Sequence, residues 1–451
     1  MRWKCQGNPR VGDQQRVPRF AFWPRKVENR WVWLERYVEV REYQKVLRYP
    51  CQDAGWFTVA VKLALLCCCV WGCGRAGTPP PPSSGYVKTQ GTHFTLDGRP
   101  FYFQGTNFYR LGLLDKQTDD QVPTILGQFA DRDIRVVRIW GFSCGRAGAM
   151  IKSVTGGTIE YDEGALRRLD LVLAEARRSG VKLILALVNY EREYCSMGWW
   201  VKQVTGQDDP QLFYRDPQVI EVFRRHVANL LNRVNTLTHV PYRDEPAIMA
   251  IELANEPHTA DHYEADHQLV PGSLVHRWID ETSRYIRSLD PNHLIASGEE
   301  GYKVAPTTPD EPRHAWLSNG QKGADYAGNV ALPGIDFATV HAYPDHWRIP
   351  PGDLDWFNRH FIENRAALAH GVGKPVILEE TGFPYDRPPG YPGADDMLAG
   401  LYRAANDADY AGTMVWQLVP PGTEEGDFIY DFTTPLARVV FEQAALMGRR
   451  Q

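Results

Sequence analysis

"AIMAIELANEPH", residues 247–258, begins as a run of small and apolar residues and ends in Asn255, Glu256 and Pro257. A short apolar run closed by a turn signal fits a strand covered on both faces, as in a parallel sheet. A carboxylic acid delivered at the tip of such a segment needs a partner or a chemical task.

Seven further stretches have the same character: 101–109, 134–142, 182–190, 294–301, 335–343, 374–382 and 412–418. Between them lie segments with apolar residues recurring at three and four, among them 165–180, 217–235 and 272–290, which predict amphipathic helices. Eight β runs alternating with helices predict an α/β fold, a single (β/α)8 TIM barrel over residues 86–451. A doubly wound open sheet is the alternative. No Gly-rich phosphate fingerprint follows the first strand to support it.

In such barrels the chemistry sits at the C-terminal strand ends. The ends of the eight runs carry Asn107, Arg138 with Trp140, Asn189, Asn255 with Glu256, Glu300, His341 with Tyr343, Glu380 and Trp416. Chance would scatter polar and aromatic residues among strand starts and middles as well. Glu256 and Glu380, at the tips of strands four and seven, face each other across a closed barrel. Such a carboxylate pair suits retaining glycoside hydrolysis, in which one acid attacks the anomeric carbon and the other protonates the leaving oxygen. Strict alternation points Asn255 and Glu256 to opposite faces, so both reach the site only if the strand ends or bulges there.

The composition agrees with a globular enzyme: 451 residues, 43% hydrophobic, bury a large core. Residues 1–58 carry twelve Lys/Arg against six Asp/Glu, so the net charge of −5 hides an acidic main body. An acidic body without a basic cluster excludes a nucleic-acid partner. The thirteen histidines form no HExxH and no Cys pair accompanies them, so neither a metal nor another cofactor is expected.

The strand-end segments "VRIWGF", "IELANEP", "TVHAYPDHW" and "PVILEETG", with the long stretch 216–258, resemble glycoside hydrolase family 5, and within it the endo-β-1,4-mannanases. The resemblance covers roughly residues 86–445. It implies Glu256 as acid/base, Glu380 as nucleophile, Asn255 as donor to the sugar 2-hydroxyl, and Arg138, His341 and Tyr343 as supports. It implies Trp416 as the platform under the sugar, with Trp199, Trp200 and Trp347 as candidates for further subsites. Asn107 and Asn189 are further candidates for substrate contact. Two departures stand out: Glu380-Thr381-Gly382 replaces the usual Glu-Phe-Gly, and Asn189-Tyr190-Glu191 differs from the common loop after strand three. By alternation Leu378 and Glu380 share a face, which points the neighbouring Glu379 toward the helix layer.

The expected activity is therefore retaining endo-hydrolysis of β-1,4-mannan or glucomannan by a monomer. Alternatives are a β-1,4-glucanase or narrower β-glycosidase on the same barrel, and, from another class, a non-catalytic polysaccharide-binding lipoprotein. The full set of strand-end residues argues against the last, since adhesion needs no facing acids.

Upstream, residues 1–58 show no helical or strand period and read as an irregular leader with a mis-assigned start. Lys62 and the apolar run Leu63–Trp71, too short to span a bilayer, read as a secretion signal within 59–73. Val70-Trp71-Gly72-Cys73 resembles a bacterial lipoprotein box, with Cys73 lipidated, 74–85 as a Pro/Ser tether to the membrane, and the barrel secreted or anchored at the bacterial cell surface. An ordinary cleaved signal is the alternative. Six of the eight cysteines lie in this leader, leaving Cys144 and Cys195 as either one disulfide or two buried thiols.

Overall fold

A computed structural model describes residues 85–451 apart from 115–116, 306–310, 385–388 and 424–425. The leader, the signal-like segment with Cys73, and the tether through Ser84 lie outside the described residues.

Eight parallel strands form the centre: β1 Phe103–Asn107, β2 Ile134–Trp140, β3 Lys182–Ala186, β4 Ile248–Glu252, β5 Leu294–Ala296, β6 Ala338–His341, β7 Val376–Glu380 and β8 Gly412–Val415. Each falls inside one of the eight runs picked out from the sequence. They pair in the order β5-β4-β3-β2-β1-β8-β7-β6. Between β5 and β6 there is no ladder, and the barrel is closed by single bonds instead. Asp336 N donates to Ile295 O (2.8 Å), the Asp336 carboxylate accepts from Ile295 N (2.7 Å), and the Thr339 hydroxyl donates to Glu299 O (3.0 Å).

Helices follow the strands and wrap the sheet, as a parallel barrel requires. Their ends are written locally. Asp162 caps the helix Glu163–Ser179 by accepting from Ala165 N (3.0 Å), and Gly180 ends it at φ +74°. Asp216 caps Pro217–Asn232, whose proline supplies a preset first turn. On that helix Val219, Val222, Phe223, Val227, Leu230 and Leu231 are buried, the stripe expected from their spacing.

Inside the barrel, Phe103, Val136, Ile184, Leu294, Phe337, Ile377 and Met414 pack with Phe94 and Phe101 of the N-terminal segment. A three-stranded antiparallel sheet over Val87–Pro100 carries Phe94. This apolar fill occupies the lower barrel, which leaves the strand tips as the polar end. Cys144, after β2, and Cys195, after β3, form a disulfide with Cα atoms 4.9 Å apart. Of the two expectations for these cysteines, the disulfide is the one realised.

Candidate active site

Arg138 points into the barrel from the middle of β2 and is fully buried. Its guanidinium meets Glu252 at the end of β4 through two bonds, Nε to Oε2 (2.7 Å) and Nη2 to Oε1 (2.5 Å). It also donates to Glu380 Oε1, to Asn107 Oδ1 (3.1 Å) and to Asn255 Oδ1 (2.7 Å). Five donors in a rigid fork make Arg the one side chain that can hold this many acceptors at once.

Strand β4 ends at Glu252, and the chain then turns. Asn255 N donates to Val188 O (2.7 Å), and Glu256 sits at φ +52° with its N–H on Gly298 O (2.9 Å). The strand end is what lets Asn255 and Glu256 both face the site. Asn255 Nδ2 donates to Asn189 Oδ1 (3.0 Å).

His341 closes the set from β6. Its Nδ1 is 2.9 Å from Glu256 Oε1 and 3.6 Å from Glu380 Oε2, and its Nε2 is 3.1 Å from Glu379 Oε2. Tyr343 donates to Glu380 Oε2 (2.7 Å). Single atoms of Glu256, His341 and Glu380 lie within 4.8 Å of one another. A cation fits that spacing, but carboxylates hold both nitrogens of His341, so the three form a hydrogen-bonded acid set.

The electrostatics separate the acids. Burial pushes Glu256 above the ordinary carboxylate range and the negative charge of Glu380 adds to this, against the hydrogen bond from His341. Glu300, beyond β5, is pushed up to about 8 by burial and by Glu256, and accepts from Tyr302 (2.6 Å). Burial would strip the charge from His341, yet Glu380, Glu256 and Glu379 outweigh it and lift the ring well above its usual value.

Arg138, Asn255, Glu256, His341, Tyr343 and Glu380 thus converge. Trp416 is half-buried beside them, its ring stacked on Tyr109 (5.1 Å, 5°). Trp347 is half-buried near Tyr343 and set edge-on to Trp316 (5.5 Å, 89°).

Three substrate-contact expectations are corrected. Trp200 is fully buried between Trp199, Phe223 and His226 and offers no face to a sugar. Asn107 is fully buried, with Nδ2 on Glu379 O (2.8 Å), and so braces Arg138 instead. Asn189 is also buried and holds Asn255. Glu379 is a fourth correction. It faces the barrel interior along with Ile377, two residues before it on the same strand face, while the β6–β7 register slips between Val340 and His341. The slip brings Glu380 into the site beside it.

Sequence reasoning passed over Glu252 and the inward face of Glu379. A signal was there: one carboxylate inside the apolar run of β4 and one arginine inside that of β2 imply a buried pair.

Comparison with known proteins identifies the family. The family described as GH family 5 beta-mannosidase-like matches residues 84–402. Mannan endo-1,4-beta-mannosidase 1 of Oryza sativa subsp. japonica is 36% identical over 362 residues, 75% of this chain and 80% of its own length. Mannan endo-1,4-beta-mannosidase 7 of Arabidopsis thaliana is 32% identical over 78% of this chain and 82% of its own. The crystal structure of the endo-1,4-beta-mannanase from Rhizomucor miehei superposes with a TM-score of 0.71 at 30% identity, covering 81% of this chain and all of that one. With its TIM barrel and its two facing glutamates, the chain belongs to glycoside hydrolase family 5 and is a glycoside hydrolase.

Proposed function

We propose that the protein is a retaining endo-β-1,4-mannanase, in which Glu380 is the nucleophile and Glu256 the acid/base. The observation that carries this is the convergence of Glu256 and Glu380 on His341, with carboxylate atoms within 4.8 Å. That spacing suits a covalent intermediate, whereas inversion needs roughly 6.5–9.5 Å to admit a water between the acids. Burial and the Glu380 charge favour a protonated Glu256, as a general acid requires.

In this mechanism a Glu380 oxygen attacks the anomeric carbon as the glycosidic C–O bond breaks, and the Glu256 proton passes to the leaving oxygen. Glu256 then takes a proton from water as that water attacks the same carbon and frees Glu380. Arg138 and Tyr343 each donate to Glu380 and fix the attacking carboxylate. Trp416 presents its half-buried ring to the apolar face of the sugar. The choice of mannan over glucan rests on the names of the relatives, mannan endo-1,4-beta-mannosidases and an endo-1,4-beta-mannanase.

Release of reducing ends from galactomannan and from carboxymethyl-cellulose tests the reading, with Glu256→Gln and Glu380→Ala run beside the wild type. Mannan cleavage reduced by about a thousandfold or more in both variants is expected. Cleavage of cellulose alone would replace it with the glucanase alternative, and no cleavage of either by folded protein would overturn it. We infer also that the barrel works outside the cytoplasm, exported by residues 59–73 and tethered through Cys73. The Cys144–Cys195 disulfide supports an oxidising compartment. A mature chain that does not begin near Cys73 by mass spectrometry would remove the tether.

A further inference from the structure

Next to the nucleophile stands a second, fully buried carboxylate, Glu379, which the acid/base and nucleophile roles leave unused. Its Oε2 is 3.1 Å from His341 Nε2 and 3.7 Å from Arg138 Nε. His341 reaches Glu256 through its other nitrogen, and Arg138 reaches Glu380, Glu252 and Asn255 through its remaining donors. Glu379 therefore touches both His341, the partner of Glu256, and Arg138, which donates to Glu380.

We propose that Glu379 is a positioning residue that holds the His341 ring with its Nδ1–H directed at Glu256, so that the proton of Glu256 is left for the leaving oxygen. The inference rests on Glu256 being the acid/base.

The ring lies between two carboxylates, and a neutral imidazole has only one N–H. With the hydrogen on Nδ1, the Nε2 lone pair would face the Glu379 carboxylate. With it on Nε2, the Nδ1 lone pair would draw the Glu256 proton into the ring and away from substrate. Only a ring protonated at both nitrogens donates to both acids. In that state Glu256 accepts at Oε1 and keeps its other oxygen for catalysis.

The charges around the ring favour this state. Facing it are Glu256 and Glu252 from β4 and its tip, Glu300 beyond β5, Glu379 and Glu380 from β7, Arg138 from β2 and Tyr343 from its own segment. Burial pushes Glu379 up, but Arg138 and His341 outweigh it and hold the carboxyl below its ordinary range. Glu252 goes the other way, pushed up to about 8 chiefly by burial. Of these two lower acids, Glu379 is the one that touches His341.

The test is the pH profile of kcat/KM on mannohexaose for wild type, Glu379→Gln and Glu379→Asp. Without the buried charge the ring loses its cation, and Glu256 loses the neighbour that lowers its pKa. Glu379→Gln is expected to move the basic limb up by about one pH unit and to cut kcat at least tenfold with KM within about twofold. Glu379→Asp, which keeps the charge, is expected to return the limb to the wild-type position. A basic limb in Glu379→Gln that superimposes on the wild type or moves down would overturn the proposal.

If Glu379→Gln does not fold, nitrogen-15 NMR of His341 in the wild type decides. Two protonated ring nitrogens at pH 7 are expected, and a neutral ring would overturn the proposal. The acid/base reading is checked separately with 2,4-dinitrophenyl β-mannobioside, whose leaving group needs no proton. A wild-type basic limb that persists on this substrate would sink the role of Glu256 rather than that of Glu379.

Discussion

Glu299 shows what burial does to a carboxyl group surrounded by neutral partners. It accepts from Asn329 Nδ2 (2.6 Å) and from the Ser297 hydroxyl (2.7 Å), yet burial outweighs both bonds and pushes it up to about 7. In the unfolded chain the group ionises near its ordinary value of 4.5. As pH rises between these two values, the unfolded state loses its proton first, so native stability falls across the window and levels off above it. A shift of this size corresponds to about 3 kcal/mol lost by neutral pH. Glu299→Gln removes the titration, and its melting temperature should fall less than that of the wild type between pH 4.5 and 8. Parallel curves would show that Glu299 is not the group responsible. Residues of this kind were the hardest to read from sequence. The acids at strand ends, Glu256 and Glu380, were legible because a charge at the edge of an apolar run has an obvious place to go. Glu379 was misread because alternation assigns faces only while the register holds, and the register slips beside it. Asn107 ends β1 and Asn189 follows β3, but depth is set by the neighbours, and both are buried beneath the site.

At the scale of elements, the tip of β4 is shaped by the segment after β5 pressing against it. Gly298 has φ +78°, and a Cβ there would lie 1.8 Å from Ala254 O and 2.6 Å from Glu252 Oε1. Its carbonyl accepts the Glu256 N–H at 2.9 Å. Only glycine allows this approach, so Gly298 both clears space for the turn and anchors Glu256, the proposed acid/base. Gly298→Ala should lower kcat on mannan at least tenfold and destabilise the fold by more than about 1 kcal/mol, since φ strain and a backbone clash act together. Thermal melting and steady-state kinetics read the two effects separately. Wild-type kcat in a folded Gly298→Ala protein would show that the turn holds Glu256 without this contact. The sequence announced the end of β4 through Pro257 but not the glycine that packs on it, because a close approach between two chain segments leaves no local pattern.

Across the whole molecule, the barrel was legible because eight apolar runs and their intervening amphipathic segments repeat one unit, and parallel strands need helices on their outer face. What periodicity does not specify is how the loops at the polar end are tied together. The Cys144–Cys195 disulfide does this between the loops after β2 and β3, enclosing 51 residues of sequence separation. Beside it, Tyr194 sets its edge against Trp140 (4.9 Å, 72°) and Tyr109 (5.3 Å, 78°), and Tyr109 stacks on Trp416. A crosslink of this span restricts the unfolded chain by about 4 kcal/mol in the loop-entropy view. Replacing both cysteines by serine should therefore lower the melting temperature by several degrees. The proposed catalytic pair, Glu256 beyond the end of β4 and Glu380 on β7, keeps its contacts, while the aromatic wall next to Trp416 loses its anchor. KM for mannan oligosaccharides should rise with kcat within about threefold, the pattern of weakened uniform binding. A fall in kcat at constant KM would instead place the disulfide in support of the glutamates, through Asn189 and Asn255, a bonded path from the loop after β3 to Arg138.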